Sequence, residues 1–163
     1  MPEWQPILLG GLFRRFDRDS WAKGPEREEG IREVERRASS YGLPPIRWPD
    51  PFPGNTLCAM RVATFAKELG KTVSFSLAAF RQAFAAGRDL TEPDSVMLAA
   101  AACEMHPRAI DAAVGRDAVK GALRDATERA GDLGVLGVPS VCVGGEVFWG
   151  DDRLEEAAQA ASG

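Results

Sequence analysis

Two groups of residues near the C-terminus are candidates for chemistry because of their types and order: a valine-proline step and a cluster of charged side chains. Val138 precedes Pro139, and if the bond between them is cis, the N–H and C=O of Val138 face outward and can pair with an extended chain. Asp151, Asp152 and Arg153 follow and add charged groups where a helix is expected to begin. The plainer alternative is a trans proline, with Asp152 only capping the helix and Arg153 a surface or structural partner.

A β-hairpin and a last helix are predicted to position these groups. Residues 140–143 are mostly apolar and β-branched, Gly144-Gly145 is typical of a two-residue turn, and residues 146–149 form the return strand. Gly150 ends that strand, and the last helix follows. We expect Trp149 to pack in the core.

The cysteines and the histidine form no reactive or metal-binding motif. Cys58, Cys103 and Cys142 lie far apart without a C-x-x-C pair, which disfavours a dithiol oxidoreductase and predicts three buried free thiols. His106, the only histidine, lacks a ligand set at metal-binding spacing. We therefore predict a structural role for His106 and no metal cofactor.

Length and charge indicate one domain that does not bind nucleic acid. The chain has 163 residues and a formal net charge of −4, with both signs interspersed and no basic stripe. The first fifteen residues lack the basic segment of a signal peptide, and two glycines interrupt their short apolar run. We therefore expect a cytoplasmic protein without a membrane partner.

The chain between the N-terminal segment and the hairpin is predicted to be helical. Residues 4–9 resemble a buried strand, residues 14–25 a loop or lid, and the five prolines within 43–55 an extended connection. Helices are predicted over 26–41, 56–69, 72–86, 94–105, 107–114 and 117–130, with Asp94 and Asp117 as caps. On the third of these, Phe75, Ala79, Phe80 and Phe84 are expected to face the core.

Four segments resemble one family. The four segments are GVLGVPSVCVGGEVFWGDDRL at 134–154, WQPILLGGLFR at 4–14, ERRASSYGLPP at 35–45 and WPDPFPGNTLCAMRVATFAK at 48–67. They are similar to the 2-hydroxychromene-2-carboxylate isomerase and kappa-class glutathione transferase family. That family is a DsbA-like branch of the thioredoxin superfamily. The resemblance implies an α/β, thioredoxin-like single domain over 1–163, with a thioredoxin-like part at 1–13 and 131–163 and a helical insertion at 26–130.

The resemblance also implies a ligand and a reaction. In the family, glutathione pairs with the backbone of the residue before the cis-proline, here Val138 beside Pro139, and its γ-glutamyl end is held by Asp152 and Arg153. Arg18, Arg27 and Trp149 are further candidates for this site. The expected activity is isomerisation of a small aromatic-pathway substrate by reversible thiolate addition to an enone.

One part of the family pattern has no counterpart in this sequence. The family's catalytic serine lies in a strand-helix unit before the segment like residues 4–13, so we expect no catalytic residue here and a sheet incomplete at its N-terminus. We expect the strand at 4–9 to be rearranged, or its gap to be filled by another chain in a homodimer, with strand exchange as one form. The alternative function is a DsbA-like binding module without catalysis.

Overall fold

The computed structural model describes residues 2–163, which form two compact units. The first unit comprises the residues up to Pro6 and Ser20–Leu123, and the second comprises Ile7–Asp19 and Arg124–Gly163. The helices are α1 Leu9–Arg15, α2 Arg27–Ser40, α3 Leu57–Glu68, α4 Thr72–Phe80, α5 Pro93–Ala101, α6 Pro107–Gly115, α7 Asp117–Asp132 and α8 Leu154–Ala160. The strands are β1 Ser140–Val143 and β2 Glu146–Trp149, and short 3₁₀ turns cover Trp21–Lys23 and Asp151–Arg153.

The predicted helices of the first unit are confirmed, and local signals explain their ends. The Asn55 side chain accepts a hydrogen bond from the Leu57 N–H at 3.1 Å where α3 begins. Gly70 follows the helix with a φ of +68°, the left-handed conformation that glycine adopts without steric cost. At α6, His106 Nδ1 accepts from the Arg108 N–H at 3.2 Å, which confirms a structural role for this histidine.

Two predicted caps are displaced by one or two residues. α5 begins at Pro93 with Glu92 before it, so Asp94 lies inside the first turn and does not cap the helix. Asp117 is likewise the first residue of α7 and not its cap. Proline is favoured in a first turn because its missing N–H would have no partner there, and this places the start of α5 one residue earlier than expected.

The core of the first unit lies between α3, α4, α5 and α6. Its largest buried side chains include Phe75, Val62, Val96 and Ile110. The expectation that Phe80 also faces this core is wrong, because Phe80 is 58% exposed whereas Phe75 on the same helix is 1% exposed. α4 carries no charged residue, so its composition does not distinguish the two faces.

The predicted strand at residues 4–9 is wrong. Residues 4–8 are irregular and Leu9–Arg15 form α1, whose Leu12 is fully buried. The Leu8 N–H donates to the hydroxyl of Thr127 on α7 at 2.9 Å. A strand must pair its backbone with a neighbouring strand, and none lies beside this segment in the described chain. The Thr127 hydroxyl on α7 supplies a partner for the Leu8 N–H instead.

The hairpin of the second unit is confirmed with its turn. β1 and β2 pair antiparallel, with Ser140 opposite Trp149 and Val143 opposite Glu146. Gly144 and Gly145 have φ values of +58° and +90°, which is why glycine suits both turn positions. Within residues 2–163 the sheet contains these two strands alone, in agreement with a helix-rich thioredoxin-like fold whose sheet is incomplete.

None of the helices described in residues 2–163 combines the length and the hydropathy needed to cross a bilayer.

Candidate functional site

The peptide group of Val138 is the feature around which the site of the second unit is built. The Val138-Pro139 bond is cis, as expected, and Val138 is 47% exposed. The Pro139 carbonyl accepts a hydrogen bond from the Gly150 N–H at 3.0 Å, which ties the loop to the end of β2. Among residues 2–163, no hydrogen bond uses the N–H or C=O of Val138. Both groups therefore remain available to an extended ligand.

Arg18 and Trp149 hold the loop that carries Val138. The Arg18 guanidinium carbon lies 5.4 Å from the centre of the Trp149 ring, and Arg18 Nη1 donates to the Leu136 carbonyl at 3.3 Å. Gly137 packs directly on the indole, and its carbonyl accepts from Ser140 Oγ at 2.7 Å. The expectation that Trp149 lies in the core is wrong, because this residue is 45% exposed and forms a platform under the loop. Phe148, its neighbour, points into the core instead.

The acidic pair before α8 forms a turn and not a cap. Asp151–Arg153 is a 3₁₀ turn, and Arg153, the residue that precedes α8, makes no side-chain cap hydrogen bond. The expectation that Asp152 is the N-cap of the last helix is therefore wrong. Asp152 is exposed, and its Oδ1 lies where a Cβ on Gly150 would project. Gly150 has a φ of +115°, so both the backbone and the close approach of Asp152 require glycine here.

The Arg153 side chain is held in place by two contacts. Its Nε and Nη2 donate to Glu156 Oε2 at 2.9 and 2.7 Å, and its guanidinium carbon lies 5.1 Å from the centre of the Phe148 ring. The hydrogen bond to Glu156 raises the pKa of Arg153 above its usual range. Nη1 is the guanidinium nitrogen that this ion pair leaves unused among the described residues. Arg153 is thus a fixed cation with one nitrogen available for a ligand carboxylate.

Six of the seven residues that the sequence indicated belong to the second unit, and they are Arg18, Val138, Pro139, Trp149, Asp152 and Arg153. Arg27 belongs to the first unit, where its Nη2 donates to the Phe52 carbonyl at 3.4 Å. Sequence reasoning missed Gly137, Leu136 and Ser140, which support the loop. Gly137 comes directly before the valine-proline pair, and this position was the only feature of the sequence that could have indicated its role in the loop.

The free thiols are confirmed, but the prediction that all three are buried is wrong. Cys142 is exposed, and Cys58 and Cys103 are half-buried. Alternation along β1 could have placed Cys142 on either face, so its exposure depended on which face the rest of the unit covers. Burial raises the pKa of the Cys58 thiol, which keeps more of it in the unreactive protonated form.

We expect iodoacetamide to modify Cys142 about tenfold faster than Cys58 at pH 8, because Cys142 is exposed, whereas Cys58 is half-buried and burial raises its pKa. The rates are measured by mass spectrometry of quenched samples. Since the pKa of Cys58 is raised, its rate should still increase above about pH 8.5, where an ordinary thiol is half ionised. Equal rates for the two residues at pH 8 would show that the burial of Cys58 has no kinetic effect.

In the described residues 2–163, no group of three or more His, Cys, Asp or Glu side chains could hold a metal ion. The groups that the candidate site of the second unit offers to a ligand are the peptide group of Val138, the carboxylate of Asp152 and the guanidinium group of Arg153, with Arg18 beside the loop.

Comparison with known proteins identifies the family and the fold of this chain. The model of the DSBA-like thioredoxin domain family matches residues 6–162. A curated relative, the 2-hydroxychromene-2-carboxylate isomerase of Sphingobium xenophagum, is 27% identical over 125 residues, which are 76% of this chain and 62% of the relative. The chain thus spans less than two thirds of that relative's length.

A solved structure of a 2-hydroxychromene-2-carboxylate isomerase is similar in fold. It superposes with a TM-score of 0.83 at 18% identity, and the match covers 96% of this chain and 77% of that chain. At this identity the similarity is evidence of the fold alone. Together with the family match over residues 6–162, it leads to one conclusion: the chain belongs to the family of DsbA-like thioredoxin domains, and within it is similar to the 2-hydroxychromene-2-carboxylate isomerases.

Proposed function

We propose that the protein is a glutathione-dependent isomerase or transferase whose substrate is a small 2-hydroxychromene-2-carboxylate-type acid. The observation that carries the proposal is that Val138 is 47% exposed and that its N–H and C=O have no hydrogen-bond partner in residues 2–163. The Gly150 N–H links this loop to the turn that carries Asp152 and Arg153. Similarity to an isomerase of this name supports the reaction class.

The residues present fit a γ-glutamyl peptide. An extended peptide can pair its own N–H and C=O with those of Val138, in the manner of an added strand. The γ-glutamyl end carries an α-ammonium and an α-carboxylate, which match the exposed carboxylate of Asp152 and the unused Nη1 of Arg153. Glutathione would therefore be held at its backbone and at one end.

The chain's own contribution to the reaction is binding and orientation. Glutathione, when bound, would supply a thiolate for reversible addition to the enone of the substrate. Val138 would fix the direction of the peptide, and Asp152 and Arg153 would fix its register along the loop. Arg18 and Trp149 act one step further away, because they hold Leu136 and Gly137 and so determine where the Val138 peptide group lies. Such positioning lowers the entropy cost of bringing the reacting groups together.

Replacing Asp152 with alanine should weaken glutathione binding by about tenfold or more, since a hydrogen-bonded charge pair is lost. Isothermal titration of wild type and Asp152→Ala with glutathione measures the effect. Asp125→Ala is the matched control in the same unit, because Asp125 is an exposed aspartate paired only with its neighbour Arg124 at 3.3 Å among the described residues. The control should bind like wild type. Saturable curves that are identical for wild type and Asp152→Ala would remove Asp152 from the site.

A second measurement separates catalysis from binding alone. The protein is incubated with a 2-hydroxychromene-2-carboxylate, with and without glutathione, and the two isomers are followed by their absorbance. Isomerisation that requires glutathione supports the enzyme. Saturable glutathione binding without isomerisation would favour a binding module, and absence of both would overturn the proposed function.

A further inference from the structure

Glu156 occupies one of the edges with which the Arg153 guanidinium could bind a carboxylate. A guanidinium is a planar fork of N–H donors, and two neighbouring nitrogens along one edge match the two ends of a hydrogen-bonding partner. Glu156 Oε2 accepts from Arg153 Nε at 2.9 Å and from Nη2 at 2.7 Å. The edge formed by Nε and Nη2 is therefore taken, and Nη1 lies at the other end of the group.

The Phe148 ring restricts the same guanidinium from a second side. The guanidinium carbon of Arg153 lies 5.1 Å from the centre of this ring, and Phe148 is itself buried and thus fixed. An aromatic ring against the guanidinium plane and a carboxylate at one edge together remove most of the rotamer freedom of a long side chain. The Arg153 side chain is still 38% exposed, so a ligand carboxylate can reach it.

Glu155, the preceding residue, separates this contact from a general effect of acidic residues at the start of a helix. Both glutamates lie in the first turn of α8, where acidic side chains are favourable. Within residues 2–163, Glu155 makes no hydrogen bond or ion pair, whereas Glu156 accepts twice from Arg153. The effect on the helix is therefore common to the two residues, and the contact with Arg153 belongs to Glu156.

We propose that Glu156 is a positioning residue that makes the site selective for a γ-glutamyl end with a free α-carboxylate. This inference rests on the proposed function, in which Arg153 binds that carboxylate. With the Nε and Nη2 edge filled by Glu156, the ligand carboxylate is directed to Nη1. Glu156 acts through Arg153 and does not touch the ligand. Without Glu156 the Arg153 side chain has more rotamers to lose when a ligand binds, so the carboxylate contributes less to affinity.

Two probes that differ only in the α-carboxylate test this selectivity by isothermal titration of the full chain. Glutathione has the carboxylate, and 4-aminobutanoyl-cysteinylglycine keeps the ammonium and the rest of the peptide without it. Wild type should bind glutathione about tenfold more tightly than the analogue. Glu156→Ala and Glu156→Met should reduce this preference to about threefold or less, because only their affinity for glutathione falls. Glu156→Gln should restore it, since its amide oxygen can accept the same hydrogen bonds.

Glu155→Ala is the matched control, because it removes one acidic residue from the same turn and leaves Arg153 in place. It should bind both probes like wild type. If wild type binds glutathione and Glu156→Ala keeps the full preference, or if Glu156→Ala weakens both probes equally, the role of Glu156 is overturned and the proposed function stands. Equal affinity of wild type for the two probes would also overturn it. If wild type binds neither probe, the proposed function fails and this inference fails with it.

Discussion

Phe75→Ala should lower the free energy of unfolding by about 3 to 5 kcal/mol, the largest stability loss that we expect from a single side chain. Phe75 is 1% exposed and lies in the core between α3, α4, α5 and α6. Its removal costs the transfer energy of the ring and leaves a cavity that the surrounding helices only partly fill. Urea unfolding followed by circular dichroism at 222 nm measures the loss.

Phe80→Ala is the matched control, since the same residue type is removed from the same helix. Phe80 is 58% exposed, so its truncation removes little buried apolar surface and should lower the free energy of unfolding by less than about 1 kcal/mol. The comparison removes the helix propensity difference between phenylalanine and alanine, which both variants share. Equal losses for the two variants would mean that the outer face of α4 is covered in solution.

Gly137→Ala should disturb the Val138 loop directly, because the added methyl group would meet the Trp149 ring. A Cβ at Gly137 would lie 2.5 to 2.6 Å from three atoms of the Trp149 indole, so either the ring or the loop must move. We expect a loss of about 1 to 3 kcal/mol in stability, as for other overpacked sites. Because Trp149 also supports Arg18, the displaced loop should bind glutathione about tenfold more weakly.

The two effects of Gly137→Ala are measured by urea unfolding and by isothermal titration with glutathione. Gly10→Ala is the matched control in the same unit, because a Cβ at Gly10 meets nothing within 4 Å and Gly10 lies within α1. That change should be neutral or slightly stabilising, since alanine favours a helix over glycine. If Gly137→Ala unfolds and binds like Gly10→Ala, the Trp149 platform does not position the loop.

Local sequence patterns were sufficient to predict the elements whose ends are marked by glycine or proline. Gly144 and Gly145 stand between two short apolar runs, and the hairpin forms there with the predicted register of a two-residue turn. Pro107 and Gly70 mark the beginning of α6 and the end of α3 in the same way. In each case the decisive interaction is within a few residues of the chain, so the sequence contains both partners.

Patterns were insufficient where the partner is distant. The apolar run at residues 4–9 suits a buried strand, yet no strand lies beside it within residues 2–163, and the Leu8 N–H instead donates to Thr127 on α7. A run of apolar residues indicates that the segment is buried. Whether it forms a strand depends on whether another strand lies beside it to share backbone hydrogen bonds. The strand prediction failed for that reason.

The site shows the same division between local and distant interactions. Residue order indicated Val138-Pro139 as a candidate, because a peptide group beside proline is a property of the chain itself, and the family resemblance added the Asp152-Arg153 step. That Trp149 lies open beneath Gly137 and Arg18, that Phe80 faces solvent, and that Cys142 is exposed could not be known in this way. Burial is a relation between a side chain and whatever packs opposite it, and only folding brings those surfaces together.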